Sequence, residues 1–387
     1  MRLINRQHFL NVLLRENKVF SVYNTLSYKF NDRVFVNGFD EENAEKDKAF
    51  LYFDYCFPNY LVPEFVDKSS LSFKLPSFVY KSYGIIIDDT FSSVEEYLKS
   101  NTSSNFRYLV RKNKLRLEQC FNIKYTVYFG KIDESTYNLI MSKAHDLLTL
   151  RFQQKNEPNE FLDQWDIYFN CLYSLINKKK ASIFVVYNED APIQININFN
   201  INSTCFWYIP IYDIDYAKFS LGHIGIYNQL EWCLENNYSF LDLGIGTFDY
   251  KTKWSNYNYN LETQIVFNKK PKAWYFIGYL IKLLFKIKYI FIERKFKRIN
   301  KKVAEMRKQA PVSKNIEIKE VKGYNGDDLS FISFEQIGNY QDLRKTLNDF
   351  LYLQKVHQNS IEVYKNSENM FFIKSGENMF KFDLLCD

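Results

Sequence analysis

Residues 216–254 decide the fold, and they read YAKFSLGHIGIYNQLEWCLENNYSFLDLGIGTFDYKTKW. The pattern predicts a polar turn, an amphipathic helix, a short apolar strand and a glycine-bearing turn. We expect Ser220 to be the N-cap of the helix, because its hydroxyl can accept from the free amides of the first turn. Gly222 and Gly225 leave room for a ligand to approach the backbone. The start of this helix beside the end of the strand at residues 240–243 is a ready anion-binding site.

Three β-strands are predicted before this stretch, and the first spans residues 182–187. In the second, from Ile193 to Asn202, isoleucine or phenylalanine alternates with asparagine or glutamine. This alternation predicts one buried and one solvated face. The third strand spans residues 204–211 and contains Pro210, which cannot donate to a β-ladder, so pairing should fail there. A strand that stops pairing leaves backbone groups free to bind a ligand.

Three short motifs follow one another at fixed spacing: Ser220-Leu221-Gly222, Asp242-Leu243-Gly244, and Asp249-Tyr250-Lys251 with Trp254. In order and spacing they resemble the C-terminal half of GNAT-fold acyltransferases, in particular the branch grouped with CelD/BcsL-type polysaccharide-biosynthesis proteins. The resemblance covers about residues 85–268. The chain departs from the branch at Leu221, where proline is usual, and at Ile245, where arginine is frequent.

The resemblance implies an α/β (α+β) fold of the GNAT type. Its central sheet is expected to be mixed, mainly antiparallel and splayed at mid-sheet, with small N- and C-terminal additions. The splayed gap would hold the pantetheine arm of coenzyme A. The implied activity is N-acyl transfer of an acetyl or longer acyl group from acyl-CoA to an amine, with an amino sugar of polysaccharide or glycolipid biosynthesis as the implied acceptor.

Acyl transfer from a thioester needs a polarised carbonyl, a neutral amine and a leaving thiolate that is stabilised or protonated. The resemblance implies that Tyr250 is the general acid; the structural alternative is a core tyrosine with a bonded hydroxyl. Lys251 would hold a phosphate or an oxyanion, or else be a solvated lysine. Asp242 would orient the amine or cap the following turn. Asp249 would accept from helix amides or pair with Lys251.

The expected donor site comprises the turn that would bind the pyrophosphate of coenzyme A and the strand that enters the gap. Its residues are Tyr208, Ile211, Ser220, Leu221, Gly222, His223, Ile224 and Gly225. For His223 the alternatives are a phosphate contact, a base, or simple surface polarity. The expected acceptor-binding residues are Arg107, Arg111, Trp207 and Asp249. Arg107, Arg111 and Lys114 share one helix face, which would meet an acidic substrate or remain solvated.

The composition limits the class of protein. The 387 residues are 18% aromatic and carry a net charge of +6, which indicates a globular chain and gives no reason to expect a nucleic-acid partner. The six cysteines form no Cys-x-x-Cys pair and fit reduced thiols in the cytoplasm. The four histidines are far apart, so no metal site is expected.

Four regions are predicted: a mixed N-terminal region (1–85), the GNAT-like core (86–268), a basic apolar helix (269–310) and a small α+β appendage (311–387). The core is expected to contain helices near residues 92–97, from about 103, at 134–151 and at 161–177. Lysines interrupt the apolar helix, so it is not expected to span a membrane. Residues 271–303 instead fit either an interfacial helix on an anionic membrane or a packed helix. The expected location is the cytoplasm, with peripheral attachment to the inner face of the membrane in the first case.

Two other functions remain open at this level. A Fem-type transferase shares the fold and would use an aminoacyl-tRNA donor. A non-catalytic assembly factor would keep the fold and use the basic apolar helix to dock on a membrane complex. Lipid-linked sugars are among the acceptors that fit the first choice.

Overall fold

The computed structural model describes residues 2–31, 33–37, 49–68, 70–155, 159–246, 249–268, 276–284, 287, 291, 318–321, 329–338, 340, 342–368 and 370–382. The strands up to residue 268 are β1 (Arg2–His8), β2 (Tyr23–Tyr28), β3 (Val34–Asn37), β4 (Ala49–Pro58), β5 (Leu61–Phe65), β6 (Ser70–Ile86), β7 (Ile123–Tyr128), β8 (Ala181–Asn188), β9 (Ala191–Ile201), β10 (Thr204–Tyr212), β11 (Phe240–Ile245) and β12 (Tyr257–Asn268). The later strands are β13 (Lys319–Val321), β14 (Ser330–Ile332), β15 (Ile361–Lys365), β16 (Phe371–Ser375) and β17 (Asn378–Phe382).

The helices up to residue 254 are α1 (Phe9–Glu16), α2 (Val94–Asn101), α3 (Ser104–Cys120), α4 (Glu134–Lys155), α5 (Glu160–Asp163), α6 (Trp165–Asn177), α7 (Leu221–Glu235) and α8 (Asp249–Trp254). The later helices are α9 (276–284), α10 (Phe334–Ile337) and α11 (Leu343–Gln354). A 3-10 turn, Ile214–Phe219, joins β10 to α7. The helix predicted at 161–177 is two helices, α5 and α6, separated at Gln164.

Among the residues that the structure describes, nine strands form the central sheet in the order β1-β4-β12-β6-β11-β10-β9-β8-β7. The β1–β4 and β10–β11 neighbours are parallel, and the other neighbours are antiparallel. The expected mixed, mainly antiparallel sheet is therefore confirmed. Strands β1, β4 and β6, from the first 86 residues, lie in the same sheet as the strands of the predicted core.

Helices cover both faces of this sheet. On one face, α1, α4 and α6 and the small β3-β2-β5 sheet bury a core that includes Phe206 and Phe240. On the other face, α2, α3 and α7 bury a second core that includes Cys205, Trp207 and Leu241. Neighbouring residues of β10 thus enter different cores, as the side-chain alternation of a strand requires.

The polar row of β9 is buried, so the predicted solvated face is wrong. Gln194, Asn196 and Asn198 have no exposed area, although they alternate with the isoleucines as expected. Helix α7 lies over them, and Asn198 Nδ2 donates to Gln229 Oε1 on this helix at 2.9 Å. The alternation separates the two faces correctly but contains no information about the helix that covers the second face.

The β10–β11 pair separates near the middle of the sheet. Only three residue pairs join the two strands, and the last is Phe206 opposite Asp242. Beyond it, β10 continues beside β9 and β11 continues beside β6. The expected mid-sheet splay is confirmed, but it begins after Phe206 and before Pro210.

Pro210 does not interrupt the ladder, which corrects the reason given for the splay. It still lies opposite Asn196 in the β9 register. Its carbonyl accepts from Arg151 Nη1 at 3.3 Å, which shows that its backbone faces the gap rather than β9. The missing amide of Pro210 therefore falls on the side where β10 has no neighbouring strand.

The described part of the C-terminal region contains a five-stranded sheet in the order β13-β17-β16-β15-β14, with α11 beside it. This confirms the predicted helix near 341–354 and the paired strands after residue 361. A third core joins this region to the rest of the chain, and it includes Phe219 and Ile224 together with Leu347 and Phe350 of α11.

Helix α9 lies within the predicted basic apolar helix, of which residues 276–284, 287 and 291 are described. Gly278 packs against the ring of Phe267, and Ile281 contacts a small core formed by β4 and β12. Lys286, Lys288 and the residues from 292 to 317 lie outside the described residues. Among the helices that the structure describes, none has the length and apolar character needed to cross a membrane.

Candidate active site

The start of α7 lies beside the splay, but Ser220 does not cap it as expected. Ser220 is left-handed, with φ 56°, and its Oγ accepts from Asn113 Nδ2 at 3.0 Å instead of from helix amides. Its carbonyl accepts from the amide of His223 at 2.9 Å. Within the described residues, the amides of Leu221 and Gly222 have no hydrogen-bond partner. These two donors, at the positive end of the helix dipole, are the ones available to an anion.

The two glycines of this helix have different roles. A Cβ built on Gly222 meets no atom within 4 Å, which leaves the backbone open as expected. A Cβ on Gly225 would lie 2.1 Å from Gln194 Nε2 and 2.8 Å from the ring of Trp207. Gly225 therefore allows the helix to pack closely on β9 and β10, and the expectation that a ligand approaches the backbone there is wrong.

Gly225→Ala should lower the free energy of unfolding by about 1–3 kcal/mol, because the added methyl group enters a filled interface. Gly222→Ala is the matched control, and it should leave stability unchanged or raise it by up to about 1 kcal/mol, as alanine does within helices. Urea unfolding of both variants measures the difference. Equal stability of the two variants would contradict this assignment.

His223 is half-buried between the aromatic rings of α3 and α8, which corrects the interpretation as surface polarity. Its Nδ1 accepts from Trp254 Nε1 at 3.0 Å, and its ring centroid lies 5.2 Å from that of Phe106. Burial, and secondarily the charge of Lys253, lowers the pKa of His223 to about 4. An indole only donates, so the proton of the neutral imidazole is on Nε2. The Nδ1 lone pair already accepts the hydrogen bond from Trp254, so His223 is suited to donate a hydrogen bond through Nε2 rather than to act as a base.

Tyr250 lies on α8, across the gap from the free part of β10. Its ring centroid is 6.4 Å from that of His223. Burial raises the pKa of Tyr250 to about 12; nearby Tyr212 adds to the rise and Arg151 opposes it. The phenol thus stays protonated at neutral pH, which is the state that a proton donor needs.

Lys251 is 7% exposed, which corrects the alternative of a solvated lysine. Its Nζ donates to the carbonyl of Ile245 at 2.6 Å and so fixes the free end of β11. Burial lowers the pKa of Lys251 to about 8, while the negative charge of Asp242 opposes the shift. A buried cation beside the gap is placed to stabilise negative charge there.

Asp242 is buried at the apex of the splay, on the face opposite α7. It accepts from Tyr259 Oη at 2.6 Å, from Tyr60 Oη at 3.1 Å and from the amide of Gly244 at 2.7 Å. Gly244 has φ 72°, so the carboxylate caps a turn that favours glycine. Burial raises the pKa of Asp242 to about 6, against the lowering effect of these donors.

The other predicted donor-site residues are largely buried. Ile211, Leu221 and Ile224 are at most 2% exposed, so their side chains belong to the packed core and are not placed to contact a ligand. Tyr208 faces the opposite core, where its hydroxyl lies 3.3 Å from that of Tyr168. Trp207 packs on α7 and is nearly buried, so packing accounts for its position.

The predicted basic face of α3 contacts α2 and is not brought to the splay. Arg107 Nη1 donates to the carbonyl of Thr102 at 2.7 Å, beyond the end of α2. Arg111 Nε donates to Glu95 at 2.7 Å. Lys114 pairs with Glu118 at 2.8 Å. A surface groove of about 300 Å³ lies between these helices, lined by Glu95, Glu96, Lys99, Arg107 and Arg111.

Arg151 is a residue that the sequence did not single out. It lies near the end of α4, donates to the carbonyl of Pro210 and stacks 4.2 Å from the centroid of the Tyr212 ring. Its positive charge also acts to lower the pKa of Tyr250. No motif surrounds it, and only the packing of α4 on β10 brings it to the gap. Asp249 begins α8, and its side chain lies outside what the structure describes.

A family model described as the acetyltransferase (GNAT) domain matches residues 104–252. This segment is a GNAT domain. The GNAT match supports the enzyme class expected from the sequence, an acyl-CoA-dependent N-acyltransferase. In the part of the chain that the structure covers, no group of three or more His, Cys, Asp or Glu residues is placed to hold a metal.

The solved structures that are similar to this chain share little sequence identity with it. The structure of FemX is 12% identical with a TM-score of 0.41, over 62% of this chain and 77% of that chain. The C-terminal domain of a putative lysylphosphatidylglycerol synthetase from Agrobacterium fabrum is 11% identical with a TM-score of 0.37, over 61% and 73%. A tandem GNAT protein from the clavulanic acid pathway is 8% identical with a TM-score of 0.31, over 58% and 66%. No curated protein matches the chain.

Proposed function

We propose that the GNAT domain transfers an acetyl or longer acyl group from acyl-CoA to the amine of a sugar in polysaccharide or glycolipid biosynthesis. The observation that carries the donor half is the splay between β10 and β11, with the free amides of Leu221 and Gly222 beside it. The pantetheine arm would enter the gap, and the pyrophosphate would accept from the two amides. The sugar half rests on the resemblance of the three sequence motifs to the CelD/BcsL branch.

In this proposal the amine attacks the thioester carbonyl, whose oxygen becomes an oxyanion. A backbone amide of the splayed part of β10 and the cation of Lys251 stabilise that charge. The carbon–sulfur bond then breaks, and Tyr250 gives its proton to the departing sulfur. Asp242 orients the amine and takes the proton that the amine loses, since a pKa of about 6 leaves it ionised at neutral pH.

Calorimetric titration of the full chain with acetyl-CoA and with coenzyme A tests the donor half. Saturable binding of both is expected. A protein that binds neither ligand at millimolar concentration contradicts the proposal, and binding of an aminoacyl-tRNA in its place would favour the Fem-type alternative. A screen of amino-sugar and lipid-linked sugar acceptors, with detection of the released thiol, tests the acceptor half.

Helix α9 supports a membrane location for this reaction, at the inner face of an anionic bilayer. On α9, Phe276 is 71% exposed, and Ile277, Tyr279, Leu280, Leu283 and Leu284 are exposed as well. Ile287 and Phe291, beyond the end of α9, are also exposed. The sequence places lysines and arginines before and after this surface. Exposed apolar side chains with basic flanks favour binding to anionic lipid.

Leu280→Glu combined with Leu283→Glu should abolish flotation of the protein with phosphatidylglycerol-containing vesicles. Leu139→Glu is the matched control, because Leu139 is 73% exposed on α4, away from this surface. Vesicles of phosphatidylcholine alone should bind the unaltered protein weakly, since the basic flanks need anionic lipid. If the unaltered protein stays in the soluble fraction at low salt with the phosphatidylglycerol-containing vesicles as well as with phosphatidylcholine alone, the membrane proposal fails.

A further inference from the structure

Helix α11 of the C-terminal region packs along the segment that connects β10 to α7. Arg344, Asn348 and Tyr352 recur every four residues and therefore share one face of α11. The connecting segment runs from Asp213 to Ser220. Arg344 and Asn348 contact it directly, and Tyr352 contacts Asn113, which donates to Ser220. The same segment leads directly into the helix start that would bind the donor.

The first part of this contact is ionic. Arg344 lies 2.9 Å from Asp213 Oδ2 and 2.6 Å from Asp215 Oδ2. The Asp213 side chain is 3% exposed, and burial raises its pKa, whereas the charge of Arg344 lowers it. Asn348 Nδ2 donates to the carbonyl of Asp215 at 3.1 Å. Without Arg344, a nearly buried carboxylate would lose its cation, which is costly.

The second part is a hydrogen-bond chain that ends at the helix start. Tyr352 Oη donates to Asn113 Oδ1 at 2.8 Å, and Asn113 Nδ2 donates to Ser220 Oγ at 3.0 Å. Asn113 is 2% exposed. The Tyr352 ring also packs edge-on against Phe219, with centroids 5.1 Å apart. Ser220 is thus held in its left-handed conformation, which non-glycine residues adopt only when the surroundings fix it.

The connecting segment depends on such contacts. A 3-10 turn of six residues with a non-helical residue at Tyr216 has little stability of its own. If Ser220 took an ordinary conformation, its carbonyl would move away from the amide of His223, and the orientation of the Leu221 and Gly222 amides would change with it.

We propose that α11 is a positioning element for the donor site, which acts through Arg344 and Tyr352 on the turn that presents the Leu221 and Gly222 amides to the pyrophosphate of acyl-CoA. This assigns a role to the C-terminal region, for which the sequence offered none. The inference rests on the proposed function. It concerns binding of the phosphate part of the donor and not the chemical step at the thioester.

Two donors separate this role from a general effect on folding. Acetyl-CoA carries the pyrophosphate, and S-acetylpantetheine lacks it. In Tyr352→Phe, kcat/KM for acetyl-CoA should fall about 3- to 10-fold, the loss expected for one hydrogen bond, with kcat nearly unchanged. The value for S-acetylpantetheine should not change. Arg344→Ala should show the same selectivity with about a 10-fold loss.

Tyr364→Phe is the matched control, because its hydroxyl bonds Glu362 on the C-terminal sheet, away from the turn. It should leave both donors unaffected. Equal losses with both donors, or unchanged kinetics in Tyr352→Phe, would overturn the inference. If Arg344→Ala does not fold, Tyr352→Phe decides alone, since it removes only one oxygen. Failure of the unaltered protein to bind acetyl-CoA would instead contradict the proposed function itself.

Discussion

Tyr250→Phe should lower kcat about 10²- to 10⁴-fold, the range that a positioned general acid contributes, and leave the Kd for acetyl-CoA nearly unchanged. The hydroxyl is needed only when the sulfur departs, because the sulfur gains negative charge only as the carbon–sulfur bond breaks. The ring stays in place in the variant, so its packing beside His223 is preserved.

Tyr227→Phe is the matched control. Tyr227 lies on α7, and its hydroxyl donates to Glu95 of α2. It should retain full turnover. Steady-state kinetics with thiol detection and calorimetry with acetyl-CoA provide the two quantities. Because the pKa of Tyr250 is about 12, the unaltered enzyme should keep its rate up to about pH 11 as far as this group is concerned. Unchanged turnover in Tyr250→Phe would remove this residue from the acid role.

Asp242→Asn should lower kcat about 10²-fold and remove the acid limb of the pH–rate profile. In the unaltered enzyme this limb should rise through about pH 6, the pKa to which burial raises this carboxyl. Asparagine keeps the shape and can still accept from the amide of Gly244, but it cannot take a proton from an amine. A limb that persists in the variant would leave Asp242 with the capping role alone.

The same substitution should change how stability depends on pH. A raised carboxyl pKa stabilises the folded state below the unfolded pKa of about 4, and this contribution is lost as the pH rises through about 6. The shift from 3.8 to about 6 corresponds to about 3 kcal/mol at 1.36 kcal/mol per pKa unit. Between pH 4 and pH 7, the free energy of unfolding of the unaltered protein should therefore fall by about that amount relative to Asp242→Asn.

Asp54→Asn is the control for both measurements. Asp54 is also nearly buried and accepts from Tyr23 Oη, but it lies on β4, which β12 and β6 separate from β11. Its substitution should leave the acid limb in place. Denaturant unfolding at several pH values and the pH dependence of kcat/KM supply the data for the comparison.

Local patterns were sufficient to predict the elements around the site. The apolar spacing in α7, the alternation in β9 and the short run of β11 each depend on a few neighbouring residues, and these elements lie where the sequence indicates. Local chemistry in the same way offers Ser92 or Ser93 as the cap of α2, and the structure shows Ser93, whose Oγ accepts from the amide of Glu96.

Contacts between distant segments could not be predicted from one sequence. Ser220 has the right residue type for a cap, yet it bonds Asn113, which is 107 positions away. Arg151 reaches Pro210 only because α4 packs on β10. Arg107 donates to the carbonyl of Thr102, just beyond the end of α2. The burial of the β9 polar row likewise depends on where α7 lies. None of these contacts produces a periodic signal.

The position of β12 has a consequence for how the chain acquires its structure. This strand, residues 257–268, lies between β4 and β6. Strands β4 and β6 therefore cannot join in one sheet until the ribosome has released residue 268. Such distant pairings close slowly and leave unpaired strand edges exposed to other chains during synthesis. Chain segments that end before residue 257 would keep those edges permanently, and β-sheet aggregation is their expected fate.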